Sequence, residues 1–183
     1  MSQLFVYHSS QPMQAVKVLN HFEDISSTLA AVGVHFAQWQ AKQPLTAASS
    51  AEDIVAAYAD DIADLKQGQG YDCVEVISMD EAHPEKAELR AKWLDEQVSS
   101  ADESRCFVSG RALLSFHIDQ HVYAVLCAKG ALLTLPAGIR HWFDMGERPR
   151  FTALRLFDQS KASEVQFTGE KLAQQYPTLD EML

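Results

Sequence analysis

The sequence predicts a mainly β protein: a small antiparallel β-barrel with helices packed around it from the N-terminal half. Two observations predict this. From Gln97 onward, short β-rich runs at 97–108, 112–118, 121–127, 131–135, 141–144 and 150–157 are separated by turn residues at Gly110, Asp119-Gln120, Lys129-Gly130, Pro136-Ala137-Gly138 and Gly146. Several strands at roughly ten-residue spacing suit a sandwich or barrel better than a βαβ sheet. Before Gln97 the signals alternate between helical spacing and short strands.

Taken in order, Gln3 to Tyr7 is a short apolar strand. Asn20 and Glu23 resemble a capping pair, followed by a helical stripe of Phe22, Ile25, Leu29 and Val32. Gly33 stands where a helix ends, and Val34-His35-Phe36 begins an extended segment. A second helix opens at Ser50 with Asp53 three residues on. Its stripe is Ile54, Val55, Tyr58, Ile62 and Leu65, and Gly68 and Gly70 end it. Tyr71 to Met79 alternates as a strand. Pro84 suits the first turn of a helix running to about Asp95, with Leu89, Trp93 and Leu94 as its apolar contacts. The chain of 183 residues is expected to form one domain over 1–183. Residues 1–96 form its helix-rich part, 97–157 the barrel core and 158–183 a C-terminal tail.

Acidic residues outnumber basic ones by 25 to 15, giving a net charge of −10. Such a chain repels phosphate backbones and anionic lipid, so nucleic acid and membrane are excluded as partners, and a small molecule is expected. The opening MSQLFVYHSS has neither the basic start nor the apolar run of a signal peptide. No stretch reaches the roughly 20 apolar residues of a membrane span. A cytoplasmic, monomeric protein is expected. Cys73, Cys106 and Cys127 are odd in number and flanked by apolar residues, and read as small buried hydrophobes. The charge is uneven: residues 72–104 carry −7 and residues 105–157 carry +4. The positive segment is read as scattered surface arginines, or else as a face toward an anionic ligand.

Common nucleotide, zinc-protease and serine-hydrolase motifs are absent. His8, His21, His35 and His83 are not paired with other ligand types at metal spacing, and read as surface or hydrogen-bonded residues. His117 and His121 flank a hairpin turn and should face solvent. His141 differs: it follows the turn Pro136-Ala137-Gly138 and opens an apolar strand, a rigid placement suited to a site.

The segment LPAGIRHWFDMGERPRFTALRLF, with RAKWLDE, ESRCFVSGRALLSFHID and, upstream, FEDISSTLAAVGVHFAQW and AEDIVAAYADDIADL, resembles the acireductone dioxygenases over nearly the whole chain. These are methionine-salvage enzymes of cupin (jelly-roll-like) fold. The resemblance implies one Fe(II) or Ni(II) ion and oxidation of 1,2-dihydroxy-3-keto-5-methylthiopentene by O2. The iron form gives the keto acid precursor of methionine plus formate. The nickel form gives methylthiopropionate, formate and carbon monoxide.

The metal positions implied by the resemblance fall on Gln97, Ser99, Glu103 and His141, where the family has His, His, Glu and His. Residues 97, 99 and 103 share parity, so on one extended strand they would project to one face. Glu103 and His141 match the pattern, whereas Gln97 and Ser99 offer weak neutral oxygens in place of imidazoles. The expectation is a metal held weakly and an impaired dioxygenase; the alternative is a non-catalytic cupin that binds a small ligand or regulates. Arg105 would balance the charge of the bound enediolate, or be taken up in an ion pair with Glu96 or Asp102. Trp93 and Phe143 stand at aromatic positions beside the substrate, or serve as core packing.

Overall fold

Strand alternation puts one face of each β segment inward, and the computed structural model, which describes residues 1–161 and 165–183, stacks those faces as two antiparallel sheets. The N-terminal part contains β1 (Gln3–His8), β2 (Ala15–Leu19), α1 (Phe22–Ala30), β3 (His35–Gln38), α2 (Ala51–Ala57), α3 (Ala59–Gln69), β4 (Cys73–Met79) and α4 (Lys86–Leu94). The strands β5 (Gln97–Ser99), β6 (Glu103–Gly110), β7 (Ala112–Ile118), β8 (His121–Cys127), β9 (Ala131–Leu135), β10 (Arg140–Asp144) and β11 (Phe151–Phe157) follow. The chain closes with β12 (Val165–Phe167) and α5 (Leu179–Met182). One sheet runs β12-β5-β10-β7-β8-β1-β2 and the other β3-β9-β6-β11-β4.

The facing sheets bury Leu4, Val6, Phe107, Leu114, Phe116, Leu133 and Phe143 between them. Ile54, Tyr58 and Ile62 of the α2–α3 region cover the outer face of the five-stranded sheet at Cys106, Leu132 and Leu154. Ala173, Tyr176 and Leu179 cover the seven-stranded sheet at Tyr7, Leu113 and Trp142. The tail expected from Asp158 onward is therefore partly a packed layer, apart from 162–164, which lie outside the described residues.

The expected strands 112–118, 121–127 and 131–135 are β7, β8 and β9 with those bounds. The run 97–108 is not one strand. Residues 100–102 carry the chain from the seven-stranded to the five-stranded sheet, and Asp102 Oδ1 accepts from the Ala137 amide at 2.6 Å. Parity along one strand therefore cannot align 97, 99 and 103; the facing of two sheets does it instead.

Ser50 and Asp53 form the expected reciprocal cap, each side chain accepting from the other's amide at 3.1 Å. The helix they open is two helices, broken at Tyr58, whose ring is buried against the five-stranded sheet. Asn20 is not the cap of α1: His21 takes that position without a side-chain hydrogen bond.

Glycine is required at Gly110, where φ is +76° and an added Cβ would lie 1.8 Å from the Arg150 carbonyl oxygen. Only a bare backbone lets β6 close on β11 there. Cys106 and Cys127 are buried as expected, and burial pushes the Cys106 thiol up to about 12, which leaves it unreactive. Cys73 departs from the expectation, being part-exposed, with its thiol donating to Gln159 Oε1 at 3.3 Å. Among the described residues no helix is long and apolar enough to cross a membrane.

Candidate functional site

Between the two sheets lies a cavity of about 240 Å³. It is smaller than the roughly 300–1,000 Å³ typical for drug-sized ligands, which suits a metabolite of a few carbons. The five-stranded sheet lines it in steps of two. Glu103, Arg105 and Phe107 come from β6, Phe151, Ala153 and Arg155 from β11, and Glu75 and Ile77 from β4. The facing sheet supplies Gln97 and Ser99 from β5 and His141 and Phe143 from β10, while α4 adds Trp93. All seven residues singled out in the sequence therefore meet in one cavity. His141 and Gln97 are direct cross-strand partners.

The electrostatic centre is Glu103, 5% exposed. Arg105 Nη2 donates to its Oε1 and Arg155 Nε to its Oε2, both at 2.6 Å. Arg155 Nη1 also donates to Glu75 Oε1 at 2.9 Å. Register explains the cluster, because Arg155 is the cross-strand partner of both Arg105 and Glu75. Burial alone would push the Glu103 carboxyl up. The charges of Arg105 and Arg155 and their hydrogen bonds outweigh it and hold the group at about 2. Glu103, not Glu96 or Asp102, is thus the partner of Arg105. Arg105 also lies over the Phe143 ring, 5.7 Å from its centroid, and its buried Nε has no hydrogen-bond partner among the described residues. An orphaned buried donor costs about 1–3 kcal/mol, so Arg105 is held ready for an acceptor that the described residues do not supply.

His141 is 4% exposed and sits opposite this cluster. Its Nδ1–H donates to the Ile139 carbonyl at 2.9 Å, which leaves Nε2 as the nitrogen with a lone pair. Burial, then the charge of Arg105, pushes its pKa below the ordinary value, so the ring is neutral at pH 7. Phe143 stacks on Phe107 at 6.3 Å and meets Trp93 edge-on at 5.7 Å, so Trp93 and Phe143 both line the cavity and pack in its wall.

The other histidines take no part. His117, expected to face solvent, instead donates from Nδ1 to the buried Glu96 at 2.9 Å, and Thr168 Oγ1 donates to the same carboxylate at 2.8 Å. His121 meets His8 edge-on at 5.1 Å. Arg155 and Glu75 were not anticipated. Their signal was present: each is a charged residue inside an otherwise apolar strand, FTALRLF and CVEVISM. The positive segment is also more than scattered surface arginines, since Arg105 and Arg155 both face the cavity.

Residues 3–164 match the model of the ARD/ARD' family. An acireductone dioxygenase of Pseudomonas paraeruginosa is 54% identical over 181 residues, 99% of this chain and 100% of its own length. The chain belongs to the acireductone dioxygenase family. An acireductone dioxygenase of Stutzerimonas stutzeri is 53% identical over the same span. Acireductone dioxygenase from Bacillus anthracis, solved with a cadmium ion in its active center, has the same fold. It superposes with a TM-score of 0.77 at 24% identity, covering 88% of this chain and 95% of that one.

The acireductone dioxygenase family uses a divalent metal, and the donors in this cavity do not fit one. Both oxygens of Glu103 are engaged by guanidiniums. Gln97 and Ser99 bring a neutral amide and a hydroxyl, leaving His141 as the one imidazole in the lining. Among the described residues no cluster of three or more His, Cys, Asp or Glu side chains could hold a metal ion. Iron-group dications favour imidazole and free carboxylate over neutral oxygens, and here they would also meet the repulsion of Arg105 and Arg155.

Proposed function

We propose that this protein acts in methionine salvage on 1,2-dihydroxy-3-keto-5-methylthiopentene, the acireductone of its dioxygenase relatives, and that its own dioxygenase turnover with Fe(II) or Ni(II) is low. The observation that carries the reading is Arg105, with an unpartnered buried Nε, poised over an aromatic wall opposite a neutral His141. An enediol ionises readily to an anion, and a guanidinium matches two adjacent oxygens with a pair of N–H donors. His141 Nε2 is the group in the lining able to take the enediol proton, because its Nδ1–H is already committed to Ile139. Ile77, Phe107 and Phe151 offer apolar surface for the methylthio tail. A divalent metal held at the family's ligand positions would supply a Lewis acid for the substrate oxygens. Here Glu103 and His141 are the donors left from that set, and their surroundings support weak metal retention at most. In this reading the protein is cytoplasmic and monomeric.

The test is turnover with freshly generated acireductone, with and without added Fe(II) or Ni(II), beside the Pseudomonas paraeruginosa relative. Changes to groups that merely support a metal ligand cost about 10–100-fold, so losing two imidazoles should leave turnover more than about 100-fold below the relative's. The acireductone should nonetheless raise the thermal midpoint. Turnover at the relative's rate would overturn the low-activity half of the reading. Binding without any turnover would make the protein a ligand-binding module, and neither binding nor turnover would refute the reading altogether.

A further inference from the structure

We infer that this cavity holds its organic anion directly through the Arg105 guanidinium, with no metal ion between protein and ligand; the inference rests on the acireductone reading above and specifies its mode of recognition. Among the described residues, the charges in the lining are two carboxylates, Glu75 and Glu103, and two guanidiniums, Arg105 and Arg155. They are not shared equally. Arg155 spans both carboxylates through Nε and Nη1. Arg105 meets Glu103 through Nη2, while its Nε is buried and unpartnered among the described residues. A ligand oxyanion beside Arg105 would satisfy that orphaned donor, whereas a dication in the same space would leave it orphaned and add repulsion.

The substituted positions point the same way. Gln97 and Ser99 face the cavity from the strand beside His141, and each can donate a hydrogen bond to an oxyanion there, whereas an imidazole ligating a metal would commit its cavity-facing nitrogen to the ion. Gln97 Nε2 has one long contact, 3.4 Å to the Asp95 carbonyl, so turning it toward a ligand forfeits little. The lining thus has a cation with an unused donor, two adjustable polar groups and an apolar end, which together recognise an anion.

The probe is 4-methylthio-2-oxobutanoate, a stable anion with a methylthio tail, titrated calorimetrically into the purified protein in excess EDTA; Ni(II) is titrated separately into the chelator-free protein. The expected result is anion binding unaffected by EDTA, weakened at least about tenfold in Arg105→Gln, and no tight Ni(II) binding. Gln97→His combined with Ser99→His should then acquire Ni(II) at one ion per chain, giving a second measurement that does not depend on the Arg105 variant folding. Stoichiometric, tight Ni(II) binding by the unaltered protein, with anion binding abolished by EDTA, would overturn the inference and leave the acireductone reading standing. Absence of anion binding with and without Ni(II) would overturn the inference, and the acireductone reading falls with it when acireductone itself neither binds nor turns over.

Discussion

Replacing Glu103 with alanine should lower the thermal midpoint by roughly 6–12 °C, even in protein stripped of metal. The variant removes the shared partner of Arg105 and Arg155 and leaves two guanidiniums on adjacent strands in one cavity. Breaking a buried ion pair costs about 3–5 kcal/mol. The low end applies, because the Arg105 and Arg155 side chains keep 22% and 23% of their surface exposed. At about 2–4 °C per kcal/mol for a domain of this size, the loss is readily measured by circular dichroism. If Glu103 were chiefly a metal ligand, the chelated protein would hardly change, and a shift below about 2 °C would refute the clamp.

The same carboxylate sets an acid limit. Its pKa is near 4.5 in the unfolded chain and about 2 in the folded one. The stabilisation it gives is therefore complete above pH 4.5 and lost as pH falls from 4.5 toward 2. His141 acts earlier and with the same sign. Its folded pKa lies below 6.5, so the unfolded chain binds the extra proton and stability begins to fall below pH 6.5. Urea midpoints measured between pH 7 and 3 should decline in two steps, with the upper one missing in His141→Gln. A single step near pH 4 in both proteins would contradict the assignment of His141.

Where the sequence carried punctuation, it could be read closely. β7, β8 and β9 have their expected bounds because Gly110, Asp119-Gln120 and Lys129-Gly130 enforce turns, with Asp119 at φ +54° and Gly130 at φ +92°. The crossover at 100–102 has no such mark. Ser100, Ala101 and Asp102 are compatible with a strand, and what bends the chain there is a contact distant in sequence, Asp102 to Ala137. β2 escaped notice for another reason: at the sheet edge, Val16 and Val18 remain exposed, so no burial pattern marks the strand.

The site shows the same division. Glu103, Arg105, Trp93 and Phe143 were found through the resemblance, His141 also through the turn that precedes it, and the cavity gathers all of them. Arg155 lay in plain view within FTALRLF. Its role depends on register across three strands, with Arg105 on one side and Glu75 on the other, which no single segment reveals.

Replacing Asp144 with alanine should be comparably damaging, although Asp144 is not itself among the residues that line the cavity. Its carboxylate is 1% exposed and accepts four hydrogen bonds. Arg90 of α4 donates through Nε at 2.8 Å and Nη2 at 3.3 Å, the Gly146 amide at 2.9 Å and the Leu179 amide at 2.8 Å. One side chain thus ties together the end of β10, the helix α4 and the start of α5. β10 carries His141 and Phe143, and α4 carries Trp93, so the wall of the cavity hangs on this junction. Removing the carboxylate leaves Arg90 with Asp180 as its partner, through Nη2 at 3.0 Å, but deprives the buried Gly146 and Leu179 amides of their acceptor. Two stranded amides at about 1–3 kcal/mol each give an expected loss of about 2–6 kcal/mol, or roughly 4–24 °C. Asp144→Asn keeps the shape but offers one acceptor oxygen to four donors, so it should recover less than half. Hydrogen exchange should localise the damage, with amides of α4 and α5 losing protection before those of β7 and β8. Uniform loss across both sheets, or a midpoint change below about 3 °C, would show that the junction does not hold these elements. A selective loss would mean that the geometry of the anion site is fixed from outside the cavity, through Arg90 and Asp144.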